Sequence, residues 1–246
     1  MTAIKICGIT GEEEIEYLNE AGVDYAGFVF YEKSRRYLPV ARAKQISEKL
    51  NQKIKRVAVT VDPGIELIRE VEEAGFDILQ VHGIGQECIE RLTAHEMKSG
   101  QVISKELPLW LAANLRRPEE VRRWRPLLKV KEVRPNGILL DAGDYGSGKT
   151  FGWESRTADG TPEHVWQRAV AEFRQEAKAA QMTFLLAGGL NAANVAEAIR
   201  IFAPDIVDVS SGVEKMSGGA VKKNREKIAA FVKAVRAADI GMTVKD

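Results

Sequence analysis

Cysteine, histidine and net charge are all scarce in this chain. Two Cys among 246 residues, at positions 7 and 88, make neither a disulfide framework nor a metal quartet. The three His residues join no His/Asp/Glu cluster with metal-ligand spacing, so no metal and no cofactor is expected. Lys and Arg number 36 against 35 Asp and Glu, and a net charge of +1 argues against broad capture of nucleic acid. No apolar run approaches the roughly 18 residues of a membrane span. Met1 to Cys7 has no signal-peptide apolar region and leads straight into a strand pattern. The expectation is a cytoplasmic protein with reduced thiols and no nucleic-acid or membrane partner, a monomer or homodimer.

What is present is a regular alternation. The 45% hydrophobic and 29% charged content is that of a globular domain, and the length suits one (β/α)8 barrel over residues 1–246. Strand patterns fall at Ala3–Cys7, Asp24–Phe30, Lys55–Val61, Asp77–Val81, Pro108–Ala112, Gly137–Leu140, Phe184–Ala187 and Ile206–Val209. Helical patterns separate them. Thr10 with Glu13 reads as a capping box, and Val40–Leu50 as the second helix. Asp62-Pro63 reads as a cap with a proline at the first helical position. Further helices are expected over Gln86–Lys98, where Cys88 is a core thiol, from Pro118, and from Thr161. A weak repeat, Glu20-Ala21-Gly22-Val23-Asp24 and Glu73-Ala74-Gly75-Phe76-Asp77, marks two helix ends feeding strands. This α/β pattern predicts a closed parallel barrel, with an open doubly wound sheet as the alternative.

Two late strand ends carry the clearest signal. Phe184–Ala187 runs into Gly188-Gly189-Leu190-Asn191, and Ile206–Val209 into Ser210-Ser211-Gly212. Asn191 reads as an N-cap, with Val195, Ile199 and Phe202 at helical spacing beyond it. Glycines and free N–H groups after the seventh and eighth strands of a barrel suit a phosphate.

Barrel active sites lie at the C-terminal ends of the strands, so polar residues there are candidates. They are Cys7, Gln80, His82, Asp141 and Asp208, with Arg36 in the loop after the second strand. Period two places Lys5 and Cys7 on the interior face, where an ammonium favours a thiolate. Asp141, after three apolar residues, reads either as a loop cap or as a general acid of raised pKa. His82 reads as a hydrogen-bond partner. Gly143–Thr150 matches the pattern G-x-x-x-x-G-K-[ST], but no helical period follows Thr150, so a nucleotide P-loop is rejected in favour of a Gly-rich lid.

In order, Lys5-Ile6-Cys7-Gly8-Ile9-Thr10, Gly27-Phe28-Val29-Phe30, Ser34-Arg35-Arg36-Tyr37, Gln80-Val81-His82-Gly83, Leu139-Leu140-Asp141, Gly148-Lys149-Thr150-Phe151, Ala187-Gly188-Gly189-Leu190 and Asp208–Glu214 occur along the chain. The set resembles the phosphoribosylanthranilate isomerases of tryptophan biosynthesis. The resemblance implies a cofactor-free (β/α)8 barrel acting on a small phosphosugar, an Amadori rearrangement of aminoaldose to aminoketose. It implies Cys7 as general base, Asp141 as general acid and Arg36 as binder of the anthranilate carboxylate. Gln80, His82 and Asp208 complete the substrate-binding candidates. Gly188, Gly189, Ser210, Ser211 and Gly212 hold the phosphate. A related aminoaldose isomerase of histidine synthesis uses two carboxylates, and Cys7 argues against it. Three departures stand out. Lys222-Lys223-Asn224 replaces the usual Lys-Asp, Leu109-Trp110-Leu111-Ala112 lacks the usual Lys, and Glu154–Gln181 is longer than expected.

Overall fold

The structure is a computed structural model describing residues 1–83, 107–114, 135–141 and 164–243. Eight parallel strands close into a barrel in sequence order: β1 (Ala3–Cys7), β2 (Tyr25–Val29), β3 (Lys55–Val61), β4 (Ile78–His82), β5 (Leu109–Asn114), β6 (Gly137–Asp141), β7 (Thr183–Ala187) and β8 (Ile206–Val209). β8 pairs with β1, which excludes the open sheet. The described helices are α1 (Glu12–Ala21), α2 (Val40–Ser47), α3 (Ile65–Glu73), α4 (His164–Ala179), α5 (Val195–Phe202) and α6 (Arg225–Thr243). A hairpin, β9 (Glu214–Ser217) with β10 (Ala220–Lys223), separates β8 from α6. The expected helix over Gln86–Lys98 with Cys88, the one from Pro118, and the Gly143–Thr150 motif lie outside the described residues. None of the described helices is long and apolar enough to cross a membrane.

Alternation along each strand divides the core in two. Inward residues such as Val57, Val59, Trp110, Leu139 and Leu185 fill the barrel, while Ile4, Ile6, Leu111, Leu140 and Leu186 pack outward beneath the helices. Leu111 therefore faces away from the barrel interior. Trp110 faces inward and meets Tyr25 edge-on at 5.1 Å between ring centroids. It can do so only because residue 137 is Gly, since a Cβ there would lie 2.5 Å from the indole.

The repeat around Gly22 and Gly75 has a structural role. Both glycines end helices in the left-handed region, at φ 65° and 76°. The Asp two residues later then turns back to the preceding strand. Asp24 Oδ2 accepts from Ile4 N at 2.8 Å, and Asp77 Oδ2 from Arg56 N at 2.7 Å. Asn136 and Asp205 accept likewise from Leu109 N and Phe184 N. Each odd-numbered strand of the barrel is thus pinned at its start by a polar side chain from the entry of the next.

α2 begins at Val40 as expected, whereas α1, α3 and α5 start one to three residues later than expected. Gly11, not Thr10, precedes α1. The carboxylate that reaches back is that of Glu14, which accepts from Thr10 N at 2.6 Å and Gly11 N at 3.1 Å. Gly64, one residue past Pro63, precedes α3. Asn191 does not cap α5, because a turn intervenes and the helix begins after Asn194. The buried face of α5 is as expected, with Val195, Ile199 and Phe202. Asn224 caps α6, its Oδ1 accepting from Lys227 N at 2.9 Å.

Candidate active site

A cavity of about 700 Å³ opens at the C-terminal ends of the strands. Cys7, Arg36, Gln80, His82, Asp141, Gly188, Gly189, Asp208, Ser210 and Ser211 all border it. Of the residues expected at the site, only Gly212 stays behind the lining. Its role is packing: a Cβ there would fall 1.9 Å from the Leu190 carbonyl oxygen. The β7 and β8 loops touch backbone to backbone at that point.

Those loops present donors. Gly188 and Gly189 sit at φ 96° and 64°, conformations that other residues adopt at a cost. The N–H groups of Gly189, Ser211 and Gly212 serve no backbone carbonyl among the described residues. Ser210 behaves differently. Its hydroxyl donates to the Cys7 carbonyl at 2.9 Å, tying β8 to the end of β1.

At the end of β1, Lys5 and Cys7 face inward as period two requires. Lys5 is fully buried, and its ammonium lies 2.7 Å from Asp208 Oδ2. Burial lowers the Lys5 pKa, but Asp208 and Cys7 outweigh it and leave the ammonium firmly charged. For Cys7 the balance goes the other way from the expectation. Burial pushes the thiol up; Lys5, Lys223 and Arg36 pull it down, Asp208 adds to the rise, and the net is upward. Lys5 does not deliver a standing thiolate, because its charge is matched by Asp208 and the site is desolvated.

Arg36 is already engaged. Its Nε and Nη2 donate to Glu214 Oε1 and Oε2 at 2.6 and 2.9 Å. Lys223, 2% exposed, donates to the same Oε1 at 2.6 Å and to Ser210 Oγ at 3.2 Å. Burial pushes the Glu214 carboxyl up, but Arg36 and Lys223 prevail and hold it down at about 2. The stem of Arg36 crosses the backbone just after Cys7, where a Cβ on Gly8 would lie 2.4 Å from Arg36 Cδ. Gly8 has φ 85°, so this position needs glycine on two counts.

The β4 to β6 side is less charged. Gln80 Nε2 and His82 Nε2 are 2.8 Å apart. Burial and the Lys5 ammonium push the imidazole down to about 3, so His82 is neutral at physiological pH and serves as a hydrogen-bond partner. Gln80 Oε1 and Asp208 Oδ1 are buried acceptors without a partner among the described residues. Asp141 is 9% exposed at the end of β6, three strands from β1 around the closed sheet by way of β7 and β8. Its register neighbour on β5 is Asn114, a buried polar residue that sequence reading missed by ending that strand at Ala112. Trp110 and Leu111 are not among the lining residues, so the missing strand-five Lys is not replaced by either side chain at the cavity wall.

Glu214, Lys223 and Glu14 were also missed as site-supporting residues. The one available signal was the uninterrupted charge of Lys222-Lys223 after a Gly-Gly turn. Strand pairing there puts Lys223 directly opposite Glu214. Among the described residues, no group of three or more His, Cys, Asp or Glu is arranged to hold a metal ion.

A family model for N-(5′-phosphoribosyl)anthranilate isomerase matches residues 4–234. The isomerase of that name from Clostridium beijerinckii is 35% identical over 243 residues, covering 98% of this chain and 100% of its own. The one from Parvibaculum lavamentivorans is 34% identical over 241 residues, covering 96% and 98%. Among solved structures, the Thermotoga maritima phosphoribosylanthranilate isomerase superposes with a TM-score of 0.72 at 30% identity, over 96% of this chain and all of that one. Another such isomerase, solved in complex with reduced 1-(o-carboxyphenylamino)-1-deoxyribulose 5-phosphate, gives 0.70 at 28% identity over the same shares.

Proposed function

The chain belongs to the N-(5′-phosphoribosyl)anthranilate isomerase family, and from that membership we propose how its own residues carry the reaction. The protein is an intramolecular aldose–ketose isomerase of tryptophan biosynthesis. It converts N-(5-phosphoribosyl)anthranilate to 1-(2-carboxyphenylamino)-1-deoxyribulose 5-phosphate. The substrate phosphate meets the N–H groups of Gly188, Gly189, Ser211 and Gly212, with Ser210 holding its loop against β1. The aromatic carboxylate meets Arg36. The ribose hydroxyls meet the partnerless acceptors of Gln80 and Asp208, and neutral His82 holds Gln80 in place.

The proton transfers follow. Asp141 gives a proton to the furanose ring oxygen, the C1′–O bond breaks, and the anthranilate nitrogen lone pair completes the Schiff base. Cys7 then removes the C2′ proton, giving an enol-enamine that tautomerises to the ketone. The observation that carries this reading is the convergence of Cys7 and Asp141, from separate strands, on one cavity bordered by both glycine- and serine-rich loops. A base and an acid on different strands can address different atoms of one bound sugar. Such phosphorylated intermediates do not cross membranes unaided, which supports a cytoplasmic setting. Every proposed group comes from one barrel, so a monomer or a homodimer serves equally.

The test is a fluorescence assay of phosphoribosylanthranilate consumption by the purified chain. Turnover at an enzyme-like rate is expected. No turnover by folded protein with authentic substrate overturns the assignment.

A further inference from the structure

Arg36 poses a problem of charge. A guanidinium bonded side-on to a carboxylate forms a neutral unit, and a neutral unit attracts a second carboxylate weakly. Glu214 occupies the Nε and Nη2 edge of Arg36, leaving the Nη1 and Nη2 edge of the same fork for another planar acceptor. The geometry for a substrate carboxylate is therefore kept, but half of the attraction is cancelled. Lys223 changes the balance. Its buried ammonium shares Oε1 of Glu214, and the exposed Arg35 lies 3.6 Å from Oε2, so three cations face one anion, and two of the three, Arg36 and Lys223, are buried. A net positive charge then sits behind the fork. Such a buried excess is costly until an anion completes it.

We propose that Glu214 and Lys223 act together as the positioning pair for aromatic-carboxylate recognition: Glu214 fixes which edge of Arg36 faces the cavity, and Lys223 restores the charge that Glu214 removes. Neither residue borders the cavity, so neither is a catalytic residue. Both are held from behind. Lys223 N donates to Glu14 Oε1 at 2.8 Å, and the other oxygen of Glu14 accepts from Thr10 N and Gly11 N. The hairpin bearing the pair is thus locked to the loop that follows Cys7. Lys223 also donates to the carbonyl and hydroxyl of Ser210 at 3.3 and 3.2 Å, which leaves it no freedom to reach the ligand itself. Gly8 admits the Arg36 stem on the other side.

This inference rests on the reading that Arg36 binds the substrate carboxylate, and the test separates the two. Affinity is measured for the reaction product and for its analogue with phenylamino in place of carboxyphenylamino. The readout is the ratio of the two, the carboxylate preference. Glu214→Gln is expected to lower product affinity by about tenfold or more, the scale of a hydrogen bond to a charged group, and to leave the analogue within about twofold. Lys223→Met is expected to lower the preference as well, with Arg36 still paired. Equal loss for both ligands means a merely structural role and overturns the proposal. So does an unchanged preference in either variant. Should Glu214→Gln fail to fold, Lys223→Met decides alone. Arg36→Gln is the control. If it keeps the preference, the Arg36 reading itself is wrong; if it loses the preference while the other two keep it, only the positioning pair is wrong.

Discussion

The β7–β8 rim and the β1–β2 rim are both proposed to meet anionic parts of one substrate, yet they are built from different materials. The first consists of backbone. Gly188 and Gly189 take left-handed conformations, and Gly212 lets two loops meet where a Cβ would lie 1.9 Å from a carbonyl oxygen. Its donors are neutral N–H groups, which need no counter-charge in the absence of ligand. The second consists of side chains. Lys5 with Asp208, and Arg36 with Glu214 and Lys223, are buried ions whose charges must be balanced among themselves. Backbone suits a phosphate, which accepts from any direction. A planar carboxylate needs a planar partner, and that partner must be held at a fixed angle. Cys7, the proposed base, stands where the two materials meet, with Ser210 bonded to its carbonyl and the Arg36 stem against the residue after it.

If the rims bind and the strand ends react, the two functions separate by mutation. Cys7→Ala and Asp141→Asn should each lower kcat by about 100-fold or more while product affinity survives, since neither group is asked to hold phosphate or carboxylate. Steady-state rates alongside product titration decide this. Near-normal turnover in either variant removes that residue from the chemistry. Lost affinity with normal kcat makes it a binding residue instead.

Breaking the backbone rim should cost next most. Gly212→Ala drives a methyl group into the Leu190 carbonyl, and only a shift of both loops can relieve it. Overpacking of this kind costs about 1–3 kcal/mol, so both thermal stability and phosphate affinity should fall. Inorganic phosphate as a competitive inhibitor reads the second effect. Unchanged inhibition in a destabilised variant would move the anion away from these loops.

The side-chain rim should show itself in pH dependence. Burial raises the Cys7 pKa above the ordinary thiol value, so the thiolate is the minor form at neutral pH. The proposed base must start deprotonated and the proposed acid, Asp141, protonated, and between their two pKa values these demands leave the rate flat. In Asp141→Asn the acid no longer titrates, so the residual rate should rise by about tenfold per pH unit while the pH stays below the Cys7 pKa. Lys223 pulls the Cys7 pKa down, so adding Lys223→Met to that variant should move the rising limb to higher pH. A flat profile of kcat/KM above neutrality in Asp141→Asn would mean that the proton leaves C2′ to another group.

The same contrast explains what the sequence made legible. The backbone rim was readable because its evidence is local: glycines next to one another, just after an apolar run. Cys7 and Asp141 were readable because a strand end can be located by period and by the apolar residues before it. The Arg36–Glu214 pair spans 178 positions, and no periodicity links them. Lys223 was visible only as one of two consecutive lysines, and only the β9–β10 register shows that it is the buried one while Lys222 turns to Thr10. The net rise of the Cys7 thiol was illegible for a related reason. Sequence placed Lys5 beside Cys7, and that ammonium does pull the thiol down, but the strength of the burial that outweighs it, and the contribution of Asp208, which pairs with Lys5 from 203 positions away, are properties of the folded site.

The smallest effect belongs to Asn224, where the hairpin gives way to α6. Backbone and side chain bond separately there. The backbone N–H of Asn224 donates to Val213 O at 2.8 Å and closes the base of the hairpin. The side chain points into the helix, its Oδ1 accepting from Lys227 N at 2.9 Å and its Nδ2 donating to the exposed Glu226 Oε2 at 2.6 Å. Asn224→Ala removes only the side-chain bonds, so it should cost about 1 kcal/mol, the usual worth of an N-cap. In a chain of this size that is a fall in Tm of about 2–4 °C. Asn224→Asp keeps the cap and places a negative charge at the helix N-terminus, but it exchanges the bond to Glu226 for repulsion between two carboxylates, so no net gain is expected. Neither change should alter the carboxylate preference, because Glu14 grips Lys223 from the α1 side and the backbone bond to Val213 remains. Thermal melts and product titrations on the two variants test both statements together. If Asn224→Ala keeps its Tm but loses the preference, the hairpin is held from its exit rather than by Glu14.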